Sequence, residues 1–120
     1  MIRYHETKTA GKIAEILPDS EMISSPEEML DIMATEGYNG CHGIIIHENN
    51  LHRDFFDLKT GLAGEILQKF SNYRMRLAVI GDFTGIKSKS LRDFIRESNT
   101  WRIISFVDTL DAALAVFDRR

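Results

Sequence analysis

Gly43-Ile44-Ile45-Ile46-His47 is the stretch whose reading decides the fold. Three consecutive isoleucines are stiff at χ1 and suit a pleated strand. Their unbroken apolar character predicts a strand covered on both faces, as in a parallel sheet. Two later stretches read the same way: Arg76 to Gly81, with Leu77-Ala78-Val79-Ile80 at its centre, and Arg102 to Val107. Each of the three is followed by apolar residues at helical spacing. Leu62, Ala63, Ile66, Leu67 and Phe70 predict a helix over Thr60 to Phe70. Leu91, Phe94 and Ile95 predict one starting near Ser90, and Leu110, Ala113, Leu114 and Phe117 one starting near Asp108 or Thr109. Strands joined through helices run parallel, with right-handed crossovers.

Upstream, Ser25 is placed to cap a helix with Pro26 in its first turn and Glu28 completing a capping box. Met29, Leu30, Ile32 and Met33 supply its apolar face, and Gly37 is a stop signal. Before it, Ile2 to Thr7 and Lys12 to Leu17 predict a hairpin turning at Thr9-Ala10-Gly11. The expected class is α/β, with a mixed sheet, an N-terminal β-hairpin and the order ββαβαβαβα. Such a string excludes a helical bundle and a β-sandwich.

The 120 residues suit one domain, 1–120, with one core. Apolar residues make up 43% and charged residues 28%, which argues against disorder. A formal net charge of −3 gives no general attraction for nucleic acid or anionic lipid. The longest apolar runs are far too short to cross a bilayer, and the first residues lack the apolar core of a signal peptide. Cys41 is the one cysteine, so no internal disulfide forms. The expectation is a cytoplasmic domain with no membrane or nucleic-acid partner, and a homo-oligomer is compatible with the sequence.

Residues capable of chemistry cluster beyond the predicted strand ends, where open α/β sheets bind ligands. His47, Glu48 and Asp54 follow one strand, and Asp82 and Lys87 follow the next. The loop from Gly81 to Ser90 mixes Gly, hydroxyls and Lys, but it is not a Walker A motif. His42, His47 and His52 recur at intervals of five, which is not a zinc spacing, so no metal and no cofactor are expected. Histidines at strand ends that face solvent are the plain reading. Lys87, Lys89, Arg92 and Arg96 read as a solvated basic face. Cys41 reads as a small buried thiol and Trp101 as a residue at the core edge, an exposed interface anchor being the other reading.

Thr60-Gly61 lies where a hydroxyl can cap a helix start. The run from Gly43 to Phe117 around this pair resembles the STAS domain, the fold of the bacterial anti-sigma-factor antagonists. The residues that carry the resemblance are Ile44-Ile45-Ile46, Asp57-Leu58-Lys59-Thr60-Gly61-Leu62-Ala63, Leu77-Ala78-Val79-Ile80-Gly81, Ser90-Leu91-Arg92-Asp93-Phe94-Ile95, Arg102-Ile103-Ile104-Ser105-Phe106-Val107 and Asp111-Ala112-Ala113-Leu114. It implies a STAS-like sheet and a partner-binding phosphoswitch at Thr60, with Asp57, Lys59, Gly61 and Gly64 around it. The family motif sets its Asp two residues before the hydroxyl, whereas Asp57 stands three before Thr60. A second resemblance is to a bacterial family named as a domain of unknown function, number forty-one eighty. Phe55 to Glu65 and Ser88 to Ile95 look like its hallmark segments. It spans the whole chain and implies no activity.

Two functions follow. The first is a non-enzymatic regulatory domain that docks a protein partner through Asp57, Lys59, Thr60, Gly61 and Gly64. The second is a small-molecule or enzymatic site at the strand ends, built from His47, Glu48, Asp54, Asp82 and Lys87. A strand-end cleft holding inward-pointing histidine and carboxylates would favour the second.

Overall fold

In the computed structural model, which describes residues 1–118, five strands form one sheet in the order β1-β2-β3-β4-β5. They are β1 (Ile2–Thr7), β2 (Gly11–Ile16), β3 (Cys41–His47), β4 (Arg76–Ile80) and β5 (Ile104–Val107). The hairpin β1–β2 is antiparallel, and β2 through β5 pair in parallel. The helices are α1 (Pro26–Tyr38), α2 (Leu62–Asn72), α3 (Lys89–Trp101) and α4 (Leu110–Asp118). The predicted class, mixed sheet and element order hold.

Several boundaries shift for local reasons. The hairpin turns over residues 8–10, which sets β2 one residue earlier than expected. Ser25 caps α1 as predicted, its Oγ accepting from Glu28 N at 3.1 Å, but the Glu28 carboxylate accepts from Ser24 N and from the Ser25 hydroxyl rather than from the Ser25 backbone N–H. Helix α2 starts at Leu62, because Leu58–Thr60 forms a 3₁₀ turn closed by Gly61 in the left-handed region at φ 79°. Helix α3 runs through Trp101, and Arg102 ends it at φ 65°, so β5 begins two residues later than expected. Arg74 ends α2 in the same left-handed conformation, at φ 55°. A cation beyond a helix C-terminus complements the helix dipole in both places.

Sequential strand order and right-handed crossovers put α1, α2 and α3 on one face of the sheet. There Met29, Met33, Ile66 and Phe70 pack on Ala14, Ile44, Ile46, Leu77, Val79 and Ile104. Phe55, Phe56, Phe83, Phe94 and Phe106 close the β5 side with edge and tilted ring contacts. The opposite face is formed by Ile13, Ile45, Ala78 and Ile80 and is covered by Ala113 and Phe117 of α4. Phe117 can lie on the strands because residue 43 is glycine: a Cβ there would collide with its ring. Arg76 fixes the far end of α4, its guanidinium donating to Phe117 O at 2.8 Å and lying over the Phe117 ring. Helix α4 is roughly 10 Å across with its side chains, against a five-stranded sheet roughly 19 Å wide, so part of this face stays open.

Candidate functional site

Three places could carry function: the open sheet face beside α4, the cleft beyond the strand ends, and the turn at Thr60.

The open face holds a polar cluster. Glu15 of β2 lies opposite Arg3 of β1 and Ile45 of β3. Two residues along, on the same face, are His5 of β1 and His47 of β3. The Nε2 of His5 is 2.8 Å from Glu15 Oε1, and the Nε2 of His47 is 2.8 Å from Oε2. The carboxylate is only 4% exposed. Burial pushes the Glu15 carboxyl up, but the hydrogen bonds from His47 and His5 outweigh it and hold the group below its ordinary value. Glu15 therefore sits ionised between two imidazoles, each donating Nε2–H, and ties the edge strand to the sheet centre. His47 does not simply face solvent, as its strand-end position suggested. His5 and Glu15 escaped the sequence reading. Their signal was a carboxylate inside the apolar run Ile13-Ala14-Glu15-Ile16.

Beyond the strand ends lies a cleft of about 680 Å³, lined by Gly81, Asp82, Phe83, Thr84, Asn99 and Asp108 among others. Of the five residues in the strand-end reading, only Asp82 lines it. His47 is bound to Glu15. Glu48 packs across Gly81 and accepts from Asp82 N at 3.0 Å, which joins the two loops structurally. The Asp82 carboxylate accepts from the hydroxyl and the backbone N–H of Thr84, which hold it below its ordinary value. Asp54 turns back to His52, and the Lys87 carbonyl accepts from Arg92. The cleft holds carboxylates but no histidine among its lining residues. Among the described residues, no group of three or more His, Cys, Asp and Glu side chains could hold a metal ion. None of their helices is long and apolar enough to cross a membrane.

The Thr60 turn is on the surface. Asp57, Lys59, Thr60 and Gly64 are exposed, and Gly61 is partly so. Thr60 is not the helix cap itself; Gly61 holds that position, without a side-chain bond. The Thr60 hydroxyl donates toward the carbonyls of Asp54 (2.6 Å) and Asp57 (2.9 Å) and accepts from Leu62 N (3.2 Å). One hydroxyl thus binds two successive 3₁₀ turns to the first turn of α2. Asp57 accepts from Lys59 N, an Asx turn within the same knot. Beside it a groove of about 510 Å³ runs between Phe56, Asp57, Leu58 and Lys59 on one wall and Ser88 and Ser90 of the α3 start on the other. Trp101, expected at the core edge, is 63% exposed at the end of α3.

The family described as Domain of unknown function (DUF4180) matches residues 8–117. The chain belongs to that family. The match takes in β2 through β5, the Thr60 turn, α1 through α3 and all but the last residue of α4 of this DUF4180 domain, so both hallmark segments lie within it, and β1 precedes it. No curated protein and no solved structure matches the chain.

Proposed function

We propose that the chain is a regulatory, non-enzymatic domain that binds a protein partner through the Thr60 turn, as its resemblance to the STAS antagonists implies. The carrying observation is that Thr60 is exposed while its hydroxyl makes all three of its hydrogen bonds to backbone atoms of the turn. A phosphoryl group on that oxygen would remove the donated proton. It would also add up to about two negative charges beside Asp54 and Asp57, and beside the N-terminus of α2, which favours them. The turn would have to rearrange, and with it the wall of the groove carrying Leu58 and Lys59. Of the five strand-end candidates only Asp82 lines the cleft, and its carboxylate is engaged by Thr84, which favours docking at the Thr60 turn.

The test compares wild type, Thr60→Glu, Leu58→Asp and Lys8→Glu as baits, with captured proteins quantified by mass spectrometry beside thermal unfolding of each variant. The expected result is a protein retained by wild type and Lys8→Glu and lost by the other two. Thr60→Glu should shift stability by about 1 kcal/mol. Equal capture by all four baits would sink the docking reading.

A further inference from the structure

We propose that the cavity at the opposite end of the sheet is a binding site for a small, uncharged, planar aromatic molecule. It lies where the C-terminal ends of α1 and α2 meet the first residues of β3 and β4, and its volume is about 340 Å³. Small-molecule pockets run from about 300 to 1,000 Å³. It stands apart from the docking surface: α2 begins at the Thr60 turn and ends here.

The lining specifies the ligand. Leu30, Met33 and Ala34 of α1 form an apolar wall, and Cys41 and Met75 lie at the strand starts. Three of these side chains carry buried sulfur: Met33, Cys41 and Met75. Thioether sulfur contacts aromatic rings favourably. Burial pushes the Cys41 thiol up, so it serves as a neutral contact and not as a nucleophile. At the mouth stand Tyr38, 92% exposed, and Tyr73, 62% exposed. Two bare tyrosines beside an apolar cavity offer ring faces to a planar guest.

The apolar lining disfavours ionised guests. Arg74 lines the cavity and brings one positive charge, and His42, also in the lining, brings a polar imidazole. The C-termini of α1 and α2 each bring about half a negative charge, which together offset the Arg74 charge. Glu36 of α1 accepts from the Tyr4 hydroxyl (2.7 Å) and Asn39 (3.3 Å), and its negative charge reaches Cys41 in the lining. An ionised guest would lose its hydration against the apolar wall and the buried sulfurs, which favours a neutral ring over an acid or an amine, and the Arg74 guanidinium can stack on its face.

Indole is the probe, with indole-3-acetate and tryptamine as its charged counterparts, followed by amide shifts in two-dimensional NMR. Wild type should show saturable shifts at Gly37, Cys41 and Met75, with a dissociation constant on the order of 1 mM or below for so small a molecule. Both charged probes should bind at least several-fold more weakly. Gly37→Leu fills the cavity: a Cβ at Gly37 meets only Met75 Cε at 3.6 Å, an ordinary contact, and leucine suits a helix better than glycine. That variant should stay folded and lose the shifts. Arg74→Gly is a second variant that the fold tolerates, since glycine accepts φ 55° without strain. It should keep indole binding and favour tryptamine over indole-3-acetate. Absence of saturable shifts in wild type, full binding by folded Gly37→Leu, or equal binding of all three probes would overturn the assignment.

Discussion

Glu15 shows how one side chain can carry structural weight far from any cleft. A buried carboxylate is costly unless it is hydrogen-bonded, and here both oxygens are engaged. Because its folded value is lowered, the stability it contributes is complete above the ordinary value of 4.5 and is lost as pH falls through the lower folded value. Glu15→Gln preserves shape but removes the charge that two imidazoles face. Stability at neutral pH is expected to fall by about 1–3 kcal/mol. The gap between wild type and variant should narrow as pH drops below 4.5, and urea unfolding across that range measures it. A gap independent of pH would mean that the carboxylate charge plays no part.

Among the elements, α4 is the one whose position the crossover rule leaves free. It follows the last strand, returns over the face that α1, α2 and α3 leave bare, and is held by Gly43 and Arg76. Gly43→Ala would drive a Cβ into the Phe117 ring and toward Arg76 O at 3.1 Å. The expected cost is about 1–3 kcal/mol, the range for overpacking a core. Phe117→Leu on the same background should recover part of it, a coupling that thermal unfolding of the two single variants and the double variant reads directly. Additive losses would show that Phe117 does not rest on residue 43.

For the molecule as a whole, the sheet is stable from its centre outward. Strands β3 and β4 have neighbours on both sides and helices on both faces, whereas β1 pairs on one side only and most of its side chains are exposed. Hydrogen exchange should therefore be slowest at Ile44 to Ile46 and Leu77 to Ile80 and fastest in β1. In Glu15→Gln the core amides should accelerate with the loss of global stability and the β1 amides by more, because the tie to His5 is weakened. An equal acceleration in β1 and in the core would mean that Glu15 does not tie the edge strand to the sheet.

The parallel strands, their helices and the α1 cap were legible because each signal is local: β-branched runs, apolar residues at helical spacing, and Ser25-Pro26 before Glu28. The exposed Thr60 turn was legible as a place, though not in its bonding: the hydroxyl reaches Asp54, six residues back, through a turn that spacing alone does not predict. Tertiary structure decided what depends on register and on faces. Hairpin pairing brings His5 to Glu15, 10 residues away, and parallel pairing brings His47 to Glu15, 32 away. The cavity under Tyr38 and Tyr73 exists because two helix ends and two strand starts converge there. Local propensity sets which element forms; only the packing of distant elements sets which side chains meet.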